Sequence, residues 1–288
     1  MQAGMKTFGQ EFYPHEAIRA LRLAEKIKTG DRKLLSSRIA DELPQSEKST
    51  RERLASKFIQ RYLKASRSKI APWNSQNFAH LVAKTRHAPT QIELLYFQLT
   101  KTDELVGALA RELFFPVCVL NSAPREYSES EFAARNGSRL IVESAPLLTR
   151  EFIVHHAQTR WNFKSVSSID RALRVLQSSG LIARERMTEL RDHPPAFRLS
   201  AHDVSPVTFA WALYDEFLPR LESGELMFAR EEFYEANFAR TLLLNQKQVE
   251  QGIEILRRHQ LLAAQNESLR LVLAKGSTLV EALLAKAM

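Results

Sequence analysis

The chain has 288 residues, 44% hydrophobic and 26% charged, an ordinary globular composition long enough for two or three compact domains. No run approaches the ~18 apolar residues of a membrane span, and Met1 to Gln10 lacks the basic start and apolar centre of a secretory signal; with a lone cysteine, Cys118, the expectation is a cytoplasmic protein without disulfides. The net charge of +8 is unevenly held, with 18 Lys and Arg against 9 Asp and Glu in residues 1–100 and 23 against 24 in the rest, which points to a polyanion-binding end on a near-neutral body.

Three helices are predicted in the first seventy residues. The first runs from about His15 to Lys28, with Ile18, Leu21, Ala24 and Ile27 on one face and Gly30 as its stop. Asp31 caps a second helix carrying Leu34, Leu35, Ile39 and Leu43, which Pro44 closes. A polar turn, Gln45 to Lys48, follows. Ser49 then stands three residues before Glu52, the spacing of a capping box, and opens a longer helix. Short helix, polar turn and capped longer helix is a helix-turn-helix layout.

The third helix separates its side chains by chemistry. Leu54, Phe58, Ile59, Tyr62 and Leu63 form an apolar face, while Arg53, Lys57, Arg61 and Lys64 recur every three or four residues on another. Arg67 and Lys69 extend the row, and Lys48, Ser49, Thr50 and Arg51 open the helix, where a recognition helix places its base-reading residues. From Ser46 to Ile70 there are eight basic and two acidic residues. Such a row attracts phosphates and releases their counterions, so these ten side chains are candidate nucleic-acid contacts.

Beyond the turn Ala71-Pro72-Trp73-Asn74, a helical stretch is expected from about Gln76 to Phe115, broken near His87-Ala88-Pro89. Leu94, Leu95, Phe97, Leu99, Leu105, Leu109, Leu113 and Phe114 read as core. Asn121 to Gly137 reads as loop with some helix.

An internal similarity follows at an offset of 80 residues. Glu151, Ile153, Arg160, Phe163, Ile169, Leu173, Val175, Leu176, Leu181, Ile182 and Ala183 match Glu231, Phe233, Arg240, Leu243, Val249, Ile253, Ile255, Leu256, Leu261, Leu262 and Ala263. Each copy reads as helix, polar turn, amphipathic helix and then an alternating stretch, Phe197-Arg198-Leu199 or Leu269 to Leu273, which is a winged-helix pattern. Residues 144–200 carry nine basic and five acidic residues, whereas 201–288 carry nine and twelve. The first copy is therefore the nucleic-acid candidate, through Lys164, Ser167, Ser168, Arg171 and Arg174 on or beside its second helix and Arg184 and Arg186 in its wing. The acidic copy suits packing or protein binding.

Motifs of catalysis are missing from the sequence. There is no phosphate-cradling Gly-rich loop and no CxxC, HxxxH or HExxH spacing, and no Ser, Thr or Cys has the neighbours of an activated nucleophile. Adjacent His155 and His156 point about 100° apart on a helix and suit structural roles better than a shared metal. No enzyme activity, metal or cofactor is expected. Trp73 and Tyr62 form no stacking platform for single-stranded RNA, so duplex DNA is the preferred ligand.

The stretch Ser46-Glu47-Lys48-Ser49-Thr50-Arg51-Glu52-Arg53-Leu54, continuing to Arg61-Tyr62-Leu63, resembles the BrxA family of bacterial BREX phage-defence systems. The apolar helix Leu94 to Leu113, with its polar break Thr100-Lys101-Thr102-Asp103, and the segment Ser167 to Leu199 are similar in kind. The resemblance covers about the first two hundred residues; the second repeat departs from the compact family pattern. It implies a small, non-catalytic, helical DNA-binding component of a multi-protein defence system, with Thr50, Arg51, Arg53 and Lys57 as contacts; other defence-system proteins are the expected partners of the C-terminal region, on the ground of its acidic charge.

The expected architecture is mainly α: a helix-turn-helix bundle over 1–120, a first winged-helix-like domain with a short β-hairpin over 138–200, and a second, acidic one over 201–288. The expected function is DNA binding by an accessory protein. The alternatives are a winged-helix transcriptional regulator and a protein-interaction scaffold.

Overall fold

The computed structural model describes residues 12–27, 31–63, 75–121, 147–185, 195–223, 227–265 and 268–272, together with 128, 130, 131 and 134. They are mainly helical, with two three-stranded antiparallel sheets. No helix among them is long and apolar enough to cross a membrane. By backbone contacts the chain groups into two units, each assembled from separated stretches. One holds Tyr13–Leu99, Val204–Phe233 and Glu250–Met288; the other holds Met1–Phe12, Thr100–Asp203 and Tyr234–Val249. This grouping cuts across the consecutive segments 1–120, 138–200 and 201–288.

The unit built on 13–99 begins with a helical bundle: α1 (Pro14–Ile27), α2 (Arg32–Glu42), α3 (Lys48–Tyr62), α4 (Ser75–Lys84) and α5 (Ala88–Thr100). Pro14 occupies the first turn of α1, where its missing N–H is no loss. The Asp31 carboxylate caps α2, accepting from the backbone N–H groups of Lys33 at 2.8 Å and Leu34 at 3.3 Å. Helix α1 packs against α2, α3 and α4, and α2 packs against α3. Ile18, Leu21, Leu35, Ile39, Leu54, Phe58, Tyr62 and Leu81 fill the bundle, whereas Leu34, expected on the apolar face, is 45% exposed. The break expected near His87 is present, as α4 stops at Lys84 and α5 restarts at Ala88.

The same unit takes in α10 (Pro206–Glu222), whose Trp211 ring lies 5.5 Å from that of Phe78. The Ser205 hydroxyl caps α10 by accepting from Thr208 N–H at 3.1 Å. Strands β4 (Met227–Ala229), β5 (Leu262–Gln265) and β6 (Ser268–Leu271) form a sheet of order β4-β6-β5. The buried Tyr214 hydroxyl donates to the Leu261 carbonyl at 2.6 Å and ties α10 to the start of that hairpin.

The unit built on 100–203 starts with α6 (Glu104–Ala108), capped by Asp103, and continues into α7 (Leu109–Val119), which is π-wound and contains Pro116. Cys118 on α7 is buried, and burial pushes its thiol up to about 12, so it behaves as a small apolar side chain. Next come β1 (Leu148–Thr149), α8 (Arg150–Arg160), α9 (Val166–Ser178), β2 (Ile182–Glu185) and β3 (Ala196–Leu199), with sheet order β1-β3-β2. Helix α12 (Asn237–Thr241) returns to pack on α7, and the Arg240 guanidinium lies 5.9 Å from the Phe115 ring. His156 is buried edge-on to Trp161, with ring centres 4.9 Å apart.

The two sheets and their helices repeat one another. Helix α9 and α13 (Gln246–Arg258) are 80 residues apart, as are β2 and β5; β3 and β6 are 72 apart, because the first copy has the longer hairpin loop. Both hairpins pair in the same register, Ile182 with Leu199 and Leu262 with Leu271. The first helix is continuous in α8 but split in the second copy into α11 (Arg230–Glu235) and α12. The short strands β1 and β4, absent from the sequence expectation, pair with β3 and β6 and complete each sheet.

Candidate nucleic-acid interface

Helix α3 begins one residue earlier than its expected cap. Glu47, with extended backbone, is the N-cap, and its carboxylate accepts from the hydroxyls of Ser49 at 2.6 Å and Thr50 at 2.8 Å. Those bonds hold the Glu47 carboxyl below its ordinary range. Ser49 is therefore not the cap, and no Ser49–Glu52 capping box forms; Lys48 instead approaches Glu52 at 3.8 Å. The Arg51 guanidinium donates to the carbonyls of Gln45 at 2.8 Å and Ser46 at 2.9 Å, fastening the turn before the helix.

The α3 basic row is shorter on the surface than in the sequence. Arg61 is 4% exposed and belongs to the core side of α3, which removes it from the expected contacts. Arg53 is exposed and Lys57 half-buried. Burial lowers the Lys57 ammonium pKa first, and the like charges of Arg61 and Arg53 lower it further, so this turn carries a net positive field. Tyr62 is buried and cannot stack on a base. Lys64, Arg67, Lys69 and Arg186 lie outside the described residues, as does Trp73.

Helix α9 presents a cleaner arrangement. Lys164 is exposed just before the helix, and Ser167, Arg171 and Arg174 follow at i, i+4 and i+7, one stripe of the outer side. Ile169, Ala172, Leu173 and Leu176 cover the opposite side and are buried. Arg171 folds back along the helix, donating to the Ser167 carbonyl and hydroxyl, each at 3.0 Å. Ser168 is a correction: it is 8% exposed, with its hydroxyl 3.0 Å from that of Ser165 at the helix start. Arg184 is exposed on β2, while Arg198 on β3 is held by Glu185 at 2.6 Å.

The second copy places other chemistry at the same positions. Lys247, Gln251 and Glu254 of α13 stand where α9 has Ser167, Arg171 and Arg174. Glu254 accepts from both Arg257 and Arg258 at 3.2 Å, so those two cations are engaged along their own helix.

One repeated device escaped the sequence reading. Arg150, at the start of α8, makes a two-pronged bond to Asp170 of α9, both contacts at 2.8 Å. Arg230 pairs with Glu250 in the second copy, and both residues lie 80 positions further on. Asp170 strengthens the positive charge of Arg150, chiefly through that hydrogen bond. The signal was available, since an Arg and an acid recur at the repeat spacing, but neither was in the apolar pattern that revealed the repeat.

No family model, characterised protein or solved structure matches the chain. Among the described residues there is also no group of three His, Cys, Asp or Glu that could hold a metal ion.

Proposed function

We propose that the chain is a non-catalytic DNA-binding protein whose two repeats are winged helices, the first facing duplex DNA with α9. The winged-helix reading is supported by element order. Helix, short strand, helix, helix and hairpin run as α7, β1, α8, α9, β2 and β3, and again as α10, β4, α11 with α12, α13, β5 and β6. In both, the short strand pairs with the last strand of the hairpin.

The observation that carries the DNA reading is the contrast between α9 and α13. The scaffold is repeated, yet one outer stripe holds Ser167, Arg171 and Arg174 and the other Lys247, Gln251 and Glu254. Both stripes lie on the side opposite the buried apolar residues, so the cations of α9 are placed to meet a ligand, and hydroxyls beside arginines suit phosphates and base edges. Lys164 before the helix and Arg184 on the hairpin extend the same chemistry. A place in a phage-defence system rests on the resemblance of Ser46 to Leu63 to the BrxA family, and partner proteins on the second copy rest on its acidic balance.

Charge reversal tests this. Arg171→Glu with Arg174→Glu is expected to weaken binding to a labelled duplex roughly 10- to 100-fold at about 100 mM salt, and to flatten the salt dependence by about two counterions. Anisotropy titration across salt measures both. Wild-type affinity in a variant that keeps its circular dichroism would remove α9 from the interface.

A further inference from the structure

A groove that the repeat does not explain lies within the unit built on 13–99. It has a volume of about 500 Å3 and is lined by His15, Arg19, Arg22, Lys26 and Arg86, against one carboxylate, Glu42. We infer that this groove is a second phosphate-backbone site for duplex DNA, on α1 and the α4–α5 turn; it rests on the DNA-binding reading of the protein.

The cations are placed by the fold. Ala17, Ile18, Leu21 and Ala24 bury one side of α1, which leaves Arg19, Arg22 and Lys26 exposed at i, i+3 and i+7 on the other. The seven steps from Arg19 to Lys26 cover about 10 Å of helix, the rise of roughly three phosphates on one DNA strand. Arg19 donates to the Glu42 carbonyl at 3.2 Å and holds the end of α2 beside the stripe. Arg86 comes from the turn between α4 and α5, and that turn is pinned. The buried Gln91 amide donates to the carbonyls of Val82 and Thr85, both at 2.7 Å, and the Thr85 hydroxyl donates to the Leu81 carbonyl at 2.8 Å.

Electrostatics then selects the ligand. The one acid in the C-terminal half of α1, Glu25, is engaged by His80 at 3.1 Å. Arg22, Lys26 and Arg86 make no ion pair among the described residues, so their like charges face one trough in which Glu42 is the single opposing carboxylate. Clustering cations in this way destabilises the free protein slightly and is relieved by an anion. An open trough lined by cations along two turns of α1 suits a run of phosphates better than a single small anion, and the start of α5 adds the partial positive charge of its backbone N–H groups.

The experiment uses the full chain and a fluorescent 20-base-pair duplex, titrated by anisotropy over a range of salt, with circular dichroism as a folding check. Arg22→Glu with Arg86→Glu is expected to cut affinity at least about tenfold and lower the salt slope by about 2. Glu42→Gln, which removes the only carboxylate of the groove wall, is expected to tighten binding several-fold. If the double variant fails to fold, Glu42→Gln decides: tighter binding supports the groove and unchanged binding overturns it. Wild-type binding by a folded Arg22→Glu, Arg86→Glu protein, beside weakened binding by Arg171→Glu, Arg174→Glu, overturns the groove and leaves α9 standing. A wild-type chain that binds no duplex at low salt removes the DNA reading and the groove together.

Discussion

At the scale of single residues, the two copies end their second helix in the same way at different cost. Gly180 follows α9 with φ +75°, and Gln260 follows α13 with φ +57°. In each, the next N–H reaches back to the carbonyl five residues earlier, Leu181 to Leu176 at 3.1 Å and Leu261 to Leu256 at 2.9 Å. This ending needs a left-handed residue, which glycine supplies freely and other residues supply at about 1 kcal/mol. Nothing lies within 4 Å of a Cβ built on Gly180, so Gly180→Ala is expected to destabilise by about 1 kcal/mol through the backbone alone. The exposed Gln260→Gly is expected to stabilise by up to about 1 kcal/mol. Urea denaturation should show the opposite signs; the same sign in both would refute this account of the helix ends. Leu243 is also left-handed, with φ +54°, but it is fully buried, and the roughly 1.5–3 kcal/mol from burying its side chain outweighs the strain.

At the scale of elements, α9 and α13 form an internal comparison. Both bury an apolar stripe, Ile169, Leu173 and Leu176 against Val249, Ile253 and Leu256. Both also carry an acid paired to an arginine that opens an earlier helix, Asp170 with Arg150 of α8 and Glu250 with Arg230 of α11. These pairs are about one-third to one-half exposed, so each is worth at most about 1 kcal/mol, and each ties its helix, α9 or α13, to the start of α8 or α11. What differs is the solvent face. Gln251→Arg with Glu254→Arg would install the α9 stripe on α13 and release Arg257 and Arg258 from Glu254. Duplex affinity at low salt is expected to rise at least several-fold. An anisotropy titration showing no gain would mean that charge on this helix is irrelevant to binding. Gly252 sets a further limit, because a Cβ there would come within 2.6 Å of the Phe209 ring, so α13 tolerates new side chains on its outer face but not on its inner one.

At the scale of the molecule, neither unit is one continuous piece of chain. Segment 234–249 groups with 100–203, and segments 204–233 and 250–288 group with 13–99. Cutting after Asp203 would take from α7 its partner α12, including the Arg240 contact over Phe115 and the 3.5 Å bond from Arg111 to the Thr241 hydroxyl. It would also take α10 and its Trp211 from Phe78. Fragments 1–203 and 204–288, expressed apart, are therefore expected to lack the cooperative melt of the whole chain. A sharp thermal transition and a dispersed amide spectrum from 1–203 alone would contradict this.

Local patterns were legible where the energy that decides them is local. The apolar period of α1, the Asp31 cap and the break before Ala88 depend on neighbours a few residues away, and the 80-residue repeat is a likeness of two such local patterns, so reading along the chain recovers them. The exposed stripe of α9 was legible for the same reason, because its buried side is fixed by its own period. The short strands β1 and β4 were not, since two or three residues carry no period and become strands only by pairing with β3 and β6. Arg61 and Ser168 read as surface because their side chains are polar, yet their burial depends on what packs over them. The basic groove is the clearest case. The sequence alone determined an excess of positive charge in the first hundred residues and a helix on which part of it sits. Only the tertiary structure decided that Arg86 stands across from Arg19, Arg22 and Lys26, because a groove is a relation between residues sixty or more positions apart that no helical period links.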